Sequence, residues 1–188
     1  MYQKIWEEKI VYQWKIIEVV EQTMKIGDKE KVFEFARRSP GTRLIIINDK
    51  HEILITKEYR SEVEKFDYRL PGGKVFDTLI EYNKALKTNT DITQEAKEWA
   101  AREAREECGL QIKNPELFAI SKCGATMVRD LYYFVVREFT QLESQKLEHG
   151  EFITLQWMNI QDVKKLCLSD EFSEERSSAV LTKFFTKL

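Results

Sequence analysis

The stretch that most limits what this chain can fold into runs from Thr93 to Gly109. Within it, Glu98-Trp-Ala-Ala-Arg-Glu-Ala-Arg-Glu-Glu107 contains no proline, glycine or β-branched residue. These residues favour a helix, and Gly109 supplies a left-handed stop at its end. At about 100° per residue, Glu103, Glu106 and Glu107 fall within one arc roughly 100° wide, and Ala100, Ala101, Ala104 and Cys108 form a stripe of small residues beside it. Such a stripe lets a helix lie close against a sheet, with the carboxylate row at the edge of the contact. Like charges three and four residues apart destabilise a helix by roughly 0.2–0.5 kcal/mol per pair, so the row calls for compensation by a cation or by arginines. Hard divalent ions such as Mg²⁺ take carboxylate oxygens and complete their shell with water and phosphate. The competing reading is an ordinary solvated helix laced by the i,i+4 pairs Glu98–Arg102 and Arg102–Glu106.

The residues before this helix read as strands. The apolar pattern from Trp14 to Ile26, the turn Gly27-Asp28-Lys29 and the run Lys31 to Ala36 predict a hairpin. Leu44-Ile-Ile-Ile47, Asn48-Asp49-Lys50 and Glu52 to Arg60 predict a second one. Pro71-Gly72-Gly73 then ends any strand and exposes bare backbone. Apolar residues from Val75 to Leu86 fall near helical spacing, and Lys87 to Asp91 reads as a loop. Beyond the central helix, Leu117–Ser121, Leu131–Val136 and Phe152–Met158 read as strands, and helices follow near Gln161–Leu168 and Glu174–Leu188. The expected fold is a mixed α/β domain.

At 188 residues without repeat or linker, residues 1–188 read as one domain. Thirty basic against 32 acidic side chains give a net charge of −2, with the basic residues dispersed among acids, so no nucleic acid is expected as a partner. No apolar run approaches the roughly 18 residues of a membrane span, and the charged start does not read as a signal peptide, so no membrane association is expected. Cys108, Cys123 and Cys167 are odd in number and lack zinc-site spacing, which points to a reducing, cytoplasmic setting.

Arg102-Glu103-Ala104-Arg105-Glu106-Glu107-Cys108-Gly109-Leu110 resembles, without a gap, the second half of the box that marks the Nudix hydrolases. The first half departs from it: 28 residues separate Gly73 from Arg102, about 15 more than in the family. Residues 74–94 are therefore read as an insertion within the box, equally able to line the substrate entrance or to decorate the surface. The position of the box's first glutamate falls on Gln94, with Glu95 one place off. Ile53 to Arg60 followed by Arg69-Leu-Pro-Gly-Gly73 is similar to the ADP-ribose and nucleoside-diphosphate-sugar pyrophosphatases.

The resemblance implies a Nudix-type α/β/α sandwich with a mixed sheet, preceded by an N-terminal β-hairpin. Residues 1–40 would be a candidate dimerisation element in a homodimer. It implies Mg²⁺ (or Mn²⁺) held by the Gly72 carbonyl with Glu103, Glu106 and Glu107, and includes Arg102 in the catalytic set. Arg60 and Arg69 would bind the substrate, a small-molecule nucleoside diphosphate derivative. Glu148 and Glu151, in the loop before the Phe152 strand, are the candidates for a general base. Two departures leave the nucleobase open: Arg69 stands where that branch often has an acid, and Cys123-Gly-Ala-Thr-Met127 stands where it tends to carry a proline. The alternatives are a non-catalytic nucleotide-binding module and a Nudix enzyme acting on nucleoside triphosphates. The intact carboxylate set argues against the first.

Overall fold

The computed structural model describes residues 5–26, 29–61, 64–142, 144–147, 150 and 152–188. In chain order the elements are β1 (Ile5–Gln13), β2 (Glu18–Ile26), β3 (Lys29–Arg37), β4 (Gly41–Ile46), β5 (Glu52–Arg60), β6 (Lys65–Arg69), α1 (Leu79–Lys87) and α2 (Ile92–Cys108). They continue with β7 (Leu110–Lys113), β8 (Glu116–Ser121), β9 (Met127–Val128), β10 (Leu131–Val136), β11 (Glu138–Gln141), β12 (Ile153–Asn159), α3 (Ile160–Leu166) and α4 (Glu175–Phe185).

The centre is the sheet β4-β10-β8, with β4 and β10 parallel and β8 antiparallel to β10. Every residue of β4 and β10 is buried, which is why Leu44 to Ile46 and Leu131 to Val136 read as unbroken runs rather than alternating ones, while the buried Thr42 and Arg43 have their polar atoms bonded. Alternation reappears in which core each side chain enters. Leu44, Ile46, Tyr132, Phe134 and Val136 face a core shared with α1 and α2. Ile45, Ile47, Leu131, Tyr133 and Val135 face a core shared with α3 and α4. Helices thus cover both faces of a mixed sheet, the α/β/α sandwich expected.

The N-terminal hairpin is present as β2 and β3, but it belongs to a larger unit. β1 pairs antiparallel with β2, and β9 adds a short parallel strand to β3. The sequence reading missed β1 because Glu7-Glu8-Lys9 interrupts its apolar pattern. It also began the next strand too early: the Trp14 N–H donates to the Ile17 carbonyl at 2.9 Å in a turn, and β2 starts at Glu18. The turn expected at Gly27-Asp28 lies outside the described residues. The second hairpin reduces to one bridge, Ile47 with Ile53, because β4 is taken by β10 while β5 pairs with β6 and β12.

The helix expected from Val75 begins instead at Leu79. Thr78 and Glu81 form a reciprocal capping box, with the Glu81 N–H donating to Thr78 Oγ1 and the Thr78 N–H to Glu81 Oε2, both at 3.2 Å. Leu79, Tyr82 and Ala85 of α1 are buried in the first core beside Val75 and Phe76. The half-buried Asn83 amide donates to Glu18 Oε2 at 2.8 Å, and Glu18, wholly buried, also accepts Arg37 Nε at 2.6 Å. The segment between turn and central helix is thereby fastened to the N-terminal sheet.

Candidate functional site

Helix α2 is placed by its ends and by its small face. Asp91 caps it by accepting from the Thr93 and Gln94 N–H groups, and Gly109, with φ of 61°, closes it in the left-handed conformation. Ala96, Ala100, Ala104 and Cys108, each four residues from the next, are buried against the sheet. With no long side chain as spacer, the helix axis is held close to β4, and its carboxylates meet the turn at Leu70-Pro71-Gly72-Gly73.

That turn runs beside β4: the Leu44 N–H donates to the Pro71 carbonyl and the Thr42 N–H to the Gly73 carbonyl, each at 2.9 Å. Both bonds bypass the Gly72 carbonyl. The Gly72 N–H itself donates to Glu107 Oε2 at 2.9 Å. Gly72 has φ of 139°, and a side-chain carbon there would strike the Thr42 carbonyl. At Gly73 a side-chain carbon would occupy the place of the Glu103 carboxylate. Two consecutive glycines thus let the turn approach two of the three glutamates.

Glu107 is 9% exposed. Burial, then the neighbouring charge of Glu103, pushes its carboxyl up to about 8, with Glu58 adding to the rise and the Gly72 N–H and Arg43 opposing it. Arg43 lies between this cluster and Glu174. Its Nη1 donates to the Thr42 carbonyl at 2.8 Å, and its Nε and Nη2 engage Glu174.

Glu103, Glu106 and Glu107 line one cleft of about 560 Å³ together with Gly72. Arg60, Arg69 and Arg102 line the same cleft. Arg60 Nη1 lies 3.6 Å from Glu58 Oε2, and Arg69 Nε donates to Asp67 Oδ2 at 2.6 Å. Arg102 Nε donates to Glu106 Oε1 at 3.0 Å, and its guanidinium lies 4.7 Å from the centre of the Trp99 ring. Of the two i,i+4 pairs of a solvated helix, Arg102–Glu106 is therefore present and lines the cleft, whereas Glu98 accepts from the Gln94 amide at 2.9 Å. Glu148 and Glu151 lie outside the described residues, but Gly150 between them and Phe152 after them line the cleft. Gln94 and Glu95, near the expected first glutamate, are not among its lining residues, whereas Lys74 and Asp77 from the start of the 74–94 segment are.

Sequence reasoning missed Glu58, Arg38, Arg43 and Arg129, all of which line this cleft. Glu58 was inside a motif already noticed, two residues before Arg60 on the same face of β5. Arg38, Arg43 and Arg129 come from three separate segments and carried no local signal.

The oxygen donors suit a hard cation. Among the described residues no group of three or more His, Cys, Asp or Glu side chains forms a ready-made metal cage. What is present is a carboxylate row, a turn carbonyl left out of the strand bonds, and a Glu107 that burial, and after it the charge of Glu103, drives toward the neutral form. Such a set fits an ion that keeps waters and takes phosphate oxygens, as Mg²⁺ does, and a dication would relieve the repulsion between Glu103 and Glu107.

A model of the NUDIX domain matches residues 37–179. A hydrolase of Streptomyces rubellomurinus (strain ATCC 31215), named for CMP-5'-(N-acetyl-N-hydroxy-3-aminopropyl)phosphonate, is 24% identical over 163 residues, 86% of this chain and 72% of that protein. A solved structure described as an ADP compounds hydrolase superimposes with a TM-score of 0.69 over 99% of this chain and 94% of that one, at 14% identity, a likeness of fold. No helix among the described residues is long and apolar enough to cross a membrane.

Proposed function

Since the chain belongs to the NUDIX domain family, we propose that it is a hydrolase splitting the diphosphate of a nucleoside diphosphate linked to a sugar or similar group, with Mg²⁺ or Mn²⁺ as cofactor. ADP-ribose is the first compound to try, and the products are a nucleoside monophosphate and a phosphorylated partner. The observation that carries this reading is the convergence of Gly72, Glu103, Glu106 and Glu107 with Arg60 and Arg69 on one cleft.

Glu103, Glu106, Glu107 and the Gly72 carbonyl would hold the cation, whose chemistry is to neutralise diphosphate oxygens and make water a better nucleophile. The Gly72 N–H orients Glu107 through the 2.9 Å bond. Arg102 steadies Glu106 from the next turn of the helix. Arg60 and Arg69 bind the diphosphate, since a guanidinium matches phosphate oxygens in pairs. Glu148 or Glu151 takes the proton of the attacking water; the lining of the cleft by Gly150 between them supports this assignment.

The protein acts as a homodimer through its N-terminal strands, a reading supported by the exposed apolar side chains Ile10, Tyr12, Trp14 and Val32 in that region. A reducing, cytoplasmic setting accords with three free cysteines. The test is an assay of ADP-ribose, other nucleoside diphosphate sugars and nucleoside triphosphates with each metal. Hydrolysis of a sugar diphosphate to a monophosphate supports the reading. A clear preference for triphosphates, or no turnover of any diphosphate, overturns the substrate assignment.

A further inference from the structure

A second cleft of about 380 Å³ shares Arg38 and Arg129 with the first. The two arginines are neighbours because β3 and β9 run in parallel: the Arg38 N–H donates to the Val128 carbonyl at 3.0 Å, and Arg129 follows directly. Arg129 also borders the metal-binding turn. Its Nη2 lies 3.9 Å from the point where a side-chain carbon on Gly41 would sit, and the Gly73 carbonyl lies 3.1 Å from that same point.

The charge on Arg129 meets more arginines than acids close by. Arg129 Nε is buried and has no hydrogen-bond partner among the described residues. Burial and the charges of Arg38, Arg43 and Arg176 bring the Arg129 guanidinium down to about 10, with Glu174 the acid that opposes them. Glu174 is itself occupied by Arg43. Arg176 is bound to Ser121 and to the Arg129 carbonyl, and the other acid of the second cleft, Glu175, is exposed. A guanidinium whose buried Nε lacks a partner, on a half-buried side chain beside a second arginine, is costly unless an anion completes it.

We infer that Arg129 and Arg38 form a subsite for a phosphate group additional to the diphosphate that is cleaved, so that the preferred substrate is a nucleoside diphosphate derivative carrying a further phosphate. This rests on the proposed reading of the first cleft as the diphosphate site. The extra phosphate belongs either to the nucleoside ribose or to the departing group, and the chemistry that recognises it is the same.

The test measures binding by calorimetry in the presence of a chelator, so that it does not depend on turnover. The ligands are ADP-ribose, its 2′-phosphate on the adenosine ribose and its 1″-phosphate on the other ribose. One of the two phosphorylated compounds binds about tenfold more tightly than ADP-ribose, which identifies the side that carries the extra group. Arg129→Met abolishes this advantage, and Arg129→Lys retains part of it. Thermal melting confirms that each variant is folded. Equal affinity for all three ligands, no binding of any of them, or an advantage untouched by Arg129→Met overturns the subsite. Absence of hydrolysis with either metal overturns the proposed function alone, because the affinity ratio is read without it.

Discussion

Glu174 and Arg43 meet as a two-pronged ion pair, Nε donating to Oε2 at 2.8 Å and Nη2 to Oε1 at 2.7 Å, between the last helix and the first strand of the central sheet. Burial opposes the charge on Glu174, but Arg43, by its charge and by these hydrogen bonds, overrides burial and holds the carboxyl down at about 2. A carboxyl whose pKa is lower folded than unfolded contributes stability above its unfolded value, and loses it as pH falls through the folded one. We expect acid unfolding to steepen between about pH 4.5 and 2, and Glu174→Gln to flatten that part of the curve. Chemical denaturation at stepped pH checks both. Parallel curves for the two proteins would remove Glu174 from the acid response.

Glu107→Gln keeps shape while removing a charge that burial and Glu103 already disfavour. Hydrolysis should fall by about 100-fold or more while the melting temperature holds or rises. Near-normal turnover by the folded variant under saturating Mg²⁺ would exclude Glu107 from the mechanism.

Gly73→Ala should displace the Glu103 carboxylate rather than disrupt the fold, since the flexible end of a side chain is what the new methyl meets. Gly72→Ala meets the backbone of β4 at a φ of 139° and should cost stability as well. The contrast is read from kcat and melting temperature on both variants. Equal losses of stability would contradict it.

Leu79→Ala tests whether the segment between turn and helix belongs to the core. Leu79 is 3% exposed, and its truncation should cost about 2–5 kcal/mol by denaturant titration. A change within about 0.5 kcal/mol would return α1 to the status of surface decoration.

A homodimer built on the N-terminal strands should scatter light as twice the 22.3 kDa chain, and Tyr12→Lys with Val32→Lys should shift it toward monomer. A strictly monomeric mass at micromolar concentration would contradict the assembly.

How far the sequence could be read follows from how local each signal was. Helix α2 was legible because its stop, its alanine stripe and its carboxylates all lie within one segment. The central strands were legible as apolar runs, but their partners were not, since nothing in Leu44 to Ile47 says that β10, almost 90 residues later, displaces β5 from its side. The arc of three glutamates could be read from helical spacing, and the turn was singled out by the family resemblance despite its departure in spacing. The arginines that line the same cleft could not, because Arg38, Arg43 and Arg129 are gathered by strand pairing alone. β1 was hidden by its charges, which fit an edge strand: Lys9 reaches toward Glu21 at 3.9 Å, and Glu8 accepts Arg37 at 2.9 Å.

The bond from Asn83 to Glu18 makes the extra segment and the N-terminal sheet interdependent in descent. Glu18 is wholly buried, and three side chains donate to it: Gln13, Arg37 and Asn83. A lineage that shed the extra segment would leave Oε2 with Gln13 in place of two side-chain donors. Replacement of Glu18 with a neutral residue would then leave Arg37 with Glu8 in place of two acids. Loss of the segment and change at positions 18 and 37 should therefore travel together, so that the two parts of the chain are inherited as a single unit.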